Sequence, residues 1–355
     1  MSAQFVTETV DNTGAVVGNV CLTLDRDDNP WIAYIADQPV RNVQVARRTD
    51  AGWIREDTHV VAIADESRIP LAIDSKGNPH IACRDGDSGN LRWAFERQGS
   101  WTSQEVPTHG GLSPRPVSHI SMTLHPGKLD TEMRDTPQFA FQEMFSARSL
   151  GYATKVGDNW SVEILDEDPI RETGLFASMA FDISEALRIA YFDFRDQGMS
   201  LNPQRLKMAV TLADGWDSRI VDDDPTLVGH FSSIPKGTTF TPFIAYWDKG
   251  SGDLIVWSPS SIFGDPGRKE VVAAALSSRP IPSAAVNLQS KFCVAYPDNG
   301  IRIATRHHES GEDAWGVQTV ADTGTWPSLA YDKQGSAHIA YEAEGSLKYA
   351  REMEG

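Results

Sequence analysis

The sequence predicts an all-β fold: a seven-bladed β-propeller of four-stranded blades, its ring closed by the amino-terminal strand. Three observations carry that expectation. First, an apolar strand ending in small and aromatic residues recurs seven times at roughly 50-residue spacing, the period of one propeller blade. It reads WIAY (31–34), HIAC (80–83), QFAF (138–141), RIAY (188–191), FIAY (243–246), FCVAY (292–296) and HIAY (338–341). Second, a tryptophan-led outer strand recurs as WTSQEV (101–106), WSVEIL (160–165), WDSRIV (216–221) and WGVQTV (315–320). Third, a surplus outer strand, FVTETV (5–10), precedes the first repeat, while the last repeat stops after SLKYARE (346–352).

One blade shows how each element is cut. Strand A is IPLAID (69–74), the turn is SKGN, and strand B is PHIACRD (79–85). The loop GDSGN leads to strand C, LRWAFER (91–97), and the turn QGS leads to strand D, WTSQEV. Gly, Asn, Asp and Ser punctuate β-branched and aromatic runs, as hairpins require. Applied to the whole chain, 1–355, this gives a single domain. Its blades are 17–60, 66–108, 117–168, 174–224, 228–274, 279–321 and 324–352, with residues 1–10 as the outer strand of blade 7. Pairing the first strand with the last repeat removes an unpaired sheet edge.

Strand A carries alternating small residues: Ser121 and Thr123, Ser178 and Ala180, Ser283 and Ala285, Ser328 and Ala330. The innermost strands converge on the axis, where bulk would clash, so these read as packing. The aromatic that closes strand B also recurs, as Tyr34, Tyr191, Tyr246, Tyr296 and Tyr341, and reads as framework. Three cysteines, Cys21, Cys83 and Cys293, sit inside strands without metal-ligand spacing and read as free thiols of a reducing compartment.

Composition narrows the function classes. Acidic residues number 49 against 32 basic ones, a net charge of −17, which repels phosphate backbones and argues against nucleic acid. No run of 18 apolar residues exists, so no membrane span is expected. The start MSAQFVTETV lacks a basic stretch followed by an apolar one, and a cytoplasmic monomer or weak homo-oligomer is expected. No phosphate-cradling glycine loop, zinc-ligand cluster or nucleophile elbow is visible, so neither cofactor nor metal is expected.

Candidate site residues follow from chain direction. The start of strand A and the end of strand B share one face, together with the D–A and B–C loops. Aligning the repeats there places Asn19, Arg68, His119, Phe176, His230, Ile281 and Trp326 at one ring position, with Arg279 nearby. The residues after strand B add Arg84, Gln142, Phe192, Trp247 and Glu342, and one step further come Glu143 and Asp193. The framework repeats and this rim does not, which points to one asymmetric central pocket rather than repeated sugar sites.

His119 and His230 suit proton transfer near neutrality, although a histidine beside a strand also serves as a hydrogen-bonded spacer. Arg68, Arg84 and Arg279 offer bidentate guanidinium donors to a carboxylate, or else pair with neighbouring acids to hold loops. Trp326, Trp247, Phe176 and Phe192 present flat apolar faces to a sugar ring, or else plug the funnel. The longest B–C loop, 194–205, is a candidate lid.

The stretch LAIDSKGNPHIACRDGDSGNLRWAFERQGSWTSQEV resembles the Asp/Gly/Asn-turn propeller repeats of the broad sialidase-like, BNR-like superfamily. The resemblance spans nearly the whole chain and implies the propeller fold. The sialidase Asp-box is missing, as is the repeated Arg/Glu/Trp set of fucose-binding fungal lectins. Seven-bladed polysaccharide lyases are the nearest enzymatic likeness, at the level of fold. That likeness implies histidines and arginines meeting at the propeller mouth around a uronate.

The leading functional expectation is an enzyme with one pocket, acting on a cyclic, carboxylate-bearing saccharide or oligosaccharide by β-elimination. Arg68 and Arg84 neutralise the carboxylate with help from Asn19, His119 takes the proton and His230 donates one. The alternatives are an intracellular cyclase or isomerase of a small metabolite, a non-catalytic glycan-binding or scaffold propeller, and a glycosidase. The last would use Glu143 with Asp193 or Glu342.

Overall fold

The structure, a computed structural model, describes residues 4–37, 41–63, 68–109, 113–145, 148–195, 204–224, 228–235, 243–259, 267–276, 279–287, 291–309 and 312–353. The candidate lid lies largely outside them. The described strands form seven four-stranded antiparallel sheets, the blades of a β-propeller. Among the described residues no helix is long and apolar enough to cross a membrane.

Six blades run A–B–C–D in chain order. In the seventh, Gln4–Asp11 pairs with Ser346–Met353 and completes the sheet begun by Thr325–Tyr331 and Ala337–Ala343. The expected closure is therefore present. It is fastened laterally by the Tyr34 hydroxyl of blade 1, which donates to Asp11 Oδ2 at 2.8 Å. The same stitch recurs from Tyr191 to Asp166 and from Tyr246 to Asp222, both at 2.6 Å. Tyr34, Tyr191 and Tyr246 thus each join their blade to the outer strand of the blade before it.

Strand position explains the residue pattern. Second strands such as Pro30–Asp37 are flanked on both edges and packed on both faces, so all but the last residue is buried. Outer strands such as Asn159–Asp166 keep one face in water and alternate over their first five residues. Blades pack through apolar clusters, for example Leu150 and Tyr152 of blade 3 against Met179, Ile189 and Tyr191 of blade 4.

The A–B turns are built by aspartate. Asp74 Oδ1 accepts the backbone N–H groups of Lys76 and Asn78, and Asp25, Asp182 and Asp332 repeat the arrangement.

The innermost strands define the axis: Val16–Leu24, Leu71–Ile73, Val117–Leu124, Glu172–Phe181, His230–Ser233, Ser283–Val286 and Thr325–Tyr331. Their serines do more than leave space. Ser121, Ser178, Ser233, Ser283 and Ser328 each accept, through Oγ, a backbone N–H of the next blade's innermost strand at 2.8–3.1 Å. The small residue is therefore specifically a hydroxyl that ties one blade to the next.

Candidate functional site

The innermost strands enclose a cavity of about 340 Å³ on the propeller axis. It runs from the strand A starts, at Arg68 and His119, to the strand A ends, at Leu24, Val286 and Tyr331.

A repeated backbone irregularity shapes its upper end. In blade 3, Ser118 pairs with Gln142 and Ser121 with Ala140, so strand A spends one residue more than strand B. The same bulge occurs in blades 4, 5 and 7. At each one a bulky residue takes the left-handed conformation: His119 (φ 50°), Phe176 (52°), Phe231 (54°) and Trp326 (56°). Such values are uncommon outside glycine and cluster where a fold re-aims a side chain for use.

The bulge corrects one expected equivalence. Phe231, two residues before Ser233, is the counterpart of His119, and His230 stands one place earlier, paired with Trp247. His119 lines the cavity and His230 does not. Between them stands the Phe176 ring, 4.6 Å from His119 and 5.6 Å from His230 by ring centroids. His230 instead packs 4.3 Å from the fully buried Phe192.

The aromatic candidates form a plug. Phe231, Trp247 and Ile281 make one buried cluster, with Phe176 and Trp326 packed against it. These side chains come from blades 4 to 7 and cover the strand A starts on that side of the ring.

Arg68 comes from the opposite side. Its Nη2 donates to the carbonyl oxygens of Pro282, at 2.7 Å, and Pro327, at 3.2 Å, so the side chain crosses the axis from blade 2 to blades 6 and 7. No carboxylate pairs with it among the described residues, and none lines the cavity. Burial presses the guanidinium below its ordinary value, opposed by the neighbouring Cys21 thiol. It remains a cation all the same. Asn19, buried, bridges Arg68 in parallel between blades 1 and 2.

The candidates after strand B are engaged in the framework instead. Gln142 accepts from the Ser118 hydroxyl at 2.8 Å and donates to the Thr173 carbonyl at 3.1 Å. Glu143 Oε1 stands 2.9 Å from His109 Nδ1 and 3.9 Å from Arg115. Asp193, wholly buried, pairs with Arg171 and, at 2.5 Å, with Arg205. Glu342 accepts from Thr325 Oγ1 and the Gly345 N–H, both at 2.7 Å. Arg84 lies along Gly89, and Arg279 is exposed; neither lines the cavity.

Sequence reasoning therefore reached Arg68, His119, Phe176 and Ile281 among the cavity residues, read Cys21 as a free thiol and four of the axis serines as packing, and missed Phe231. The column was visible as Ser121, Ser178, Ser233, Ser283 and Ser328, interrupted in blades 1 and 2 by Cys21 and Pro70. No set of three or more His, Cys, Asp or Glu side chains is grouped to hold a metal among the described residues.

No family model and no curated protein matches the chain. Solved structures do match it over most of its length. The polysaccharide lyase Uly1 has 9% identity and a TM-score of 0.65, covering 95% of this chain and 90% of its own. The α-L-arabinofuranosidase Arb93A from Fusarium graminearum has 11% identity and a TM-score of 0.51, covering 99% and 97%. The SapL1 lectin, solved with α-methyl fucoside, has 10% identity and a TM-score of 0.50, covering 87% and 98%. At these identities the likeness is one of fold, and it spans a lyase, a glycosidase and a lectin.

Proposed function

We propose that this propeller is a lyase that takes one carboxylate-bearing cyclic saccharide into its axial cavity and expels its β-oxygen substituent by β-elimination. A single observation carries the reading. In a chain of net charge −17, the axial cavity is walled by a guanidinium and an imidazole and by no carboxylate among the described residues. Arg68 supplies the anion's counter-charge where low dielectric strengthens the pairing. The volume lies at the lower end of small-molecule pockets, which span ~300–1,000 Å³.

The chemistry follows from those two groups. Charge on Arg68 lowers the cost of developing negative charge on the carboxylate as the adjacent carbon loses its proton. His119 takes that proton, the bond from the β-carbon to its oxygen breaks, and a carbon–carbon double bond forms. The imidazolium then returns the proton to the departing oxygen, which leaves His119 neutral for the next turnover. A glycosidase reading lacks its paired carboxylates at the cavity, because Glu143, Asp193 and Glu342 are engaged elsewhere. The lyase likeness in fold agrees with this proposal without specifying a substrate.

The test is an ultraviolet assay for new conjugated double bonds across a panel of uronate-containing oligosaccharides. Turnover by the native protein and none by His119→Ala is the expected result. Full turnover by His119→Ala, or no elimination on any uronate, would overturn the proposal.

A further inference from the structure

The five serine stitches on the axis follow one rule. Alternate N–H groups of strand A point away from strand B, and the one immediately after the serine position donates to the previous blade's Oγ. Met179 donates to Ser121, Ile234 to Ser178, Ala284 to Ser233, Leu329 to Ser283 and Leu22 to Ser328. Met122 occupies that donating place in blade 3. The flanking bond from the His125 N–H to the Thr136 carbonyl marks the alternation, placing Ser121 toward strand B and Met122 away from it.

In the register position of the serine, blade 2 carries Pro70, which pairs with Ala82 as Ser121 pairs with Ala140. Proline has no hydroxyl to offer. Facing Pro70, the Met122 N–H meets no serine hydroxyl at this junction, and Met122, Pro70 and Arg68 all line the cavity. A buried backbone donor left without a partner costs more than an ordinary hydrogen bond contributes, so such groups are rare unless water or a ligand meets them. Here the break falls in the blade that also contributes the axial cation, and beside the blade that contributes His119.

We infer that the Met122 N–H is a ligand donor of the axial site, left available by Pro70, and that it takes an oxygen of the same molecule whose carboxylate lies on Arg68. This rests on the proposed use of the cavity. It adds an uncharged backbone recognition point to the cationic one, so the site selects for an acceptor oxygen as well as for charge. The serine rule then bears on the placement of the site: five junctions spend this donor on a serine, Cys21 takes the serine's place opposite Leu71, and Pro70 leaves the Met122 donor of blade 3 for the ligand.

Two variants and one exchange measurement test it, with D-glucuronate as the probe. Pro70→Ser restores an acceptor for the Met122 N–H, whereas Pro70→Ala removes the ring without supplying one. Calorimetry on native protein, Pro70→Ala and Pro70→Ser should show affinity kept in the alanine variant and reduced about tenfold in the serine variant, the worth of one hydrogen bond. Equal affinity in all three, or equal losses in both variants, overturns the inference. Amide hydrogen exchange in ligand-free native protein separates this from the reading of the cavity. The Met122 amide should exchange faster than those of Met179, Ile234 and Leu329, and Pro70→Ser should slow it. A Met122 amide protected like its counterparts overturns the inference whether or not any uronate binds.

Discussion

Arg68 Nη2 donates to the Pro282 carbonyl at 2.7 Å and so joins blade 2 to blade 6 across the propeller axis. A cation placed there without a carboxylate is an expensive feature for a purely structural tie. Taking a guanidinium out of water costs several kcal/mol after relaxation, whereas hydrogen bonds to a charged donor return ~1.5–3 kcal/mol each. The two terms nearly cancel, so the ring gains little from Arg68.

Arg68→Met should therefore leave unfolding free energy within about 1 kcal/mol of the native protein, because the lost hydrogen bonds and the relieved burial offset each other. Denaturant melts of the two proteins check this. A loss of the size expected for breaking a buried, carboxylate-paired arginine, about 3–5 kcal/mol, would show Arg68 to be a structural strut.

The two histidines should separate cleanly. His119 lines the cavity and His230 lies behind Phe176 against Phe192. On any uronate that is turned over, His119→Ala should lose at least ~10²-fold in kcat, the usual worth of a general base. His230→Phe should keep kcat within a fewfold of native. The reverse ranking would move the proton-transfer role to blade 5.

The serine stitches should be measurable one at a time. Ser283→Ala leaves the Leu329 N–H without its 2.9 Å acceptor at the junction of blades 6 and 7. The expected loss is about 1–3 kcal/mol, read as a shift in denaturant midpoint at unchanged slope. A neutral result would return the column to simple packing.

Ring closure should weaken in acid. Burial alone would raise the Asp11 carboxyl, but the Thr13 N–H, the Tyr34 hydroxyl and the Arg55 guanidinium together hold it below the ordinary value of 3.8. A depressed folded-state value contributes stability that is complete above the unfolded value and is lost as pH falls through the folded one. Asp25, Asp74 and Asp332 are depressed as well, so stability should drop below about pH 4. Thermal melts from pH 6 downward should show a smaller drop for Asp11→Asn than for the native protein. Equal drops would mean that Asp11 takes no part in the closure.

The fold was legible because a repeat states its own period, and because FVTETV stood where no first strand belonged. The site was only partly legible, for two physical reasons. A bulge adds a residue without altering composition, so the repeat pattern around HFSSIP placed His230 where Phe231 belongs. The residues after strand B looked divergent, and hence functional, yet their divergence reflects different local partners. Ser118 and Thr173 satisfy Gln142, His109 faces Glu143, and Arg171 with Arg205 neutralises Asp193. Arg68 and His119 were found because rim position alone brings them to the axis.

The most direct test of the account is titration calorimetry of D-glucuronate and D-glucose into the native protein and Arg68→Met. The account predicts one glucuronate per chain in the native protein, none in Arg68→Met, and no binding of glucose to either. Several equivalent sites per chain, or glucuronate bound undiminished without the Arg68 guanidinium, would contradict it.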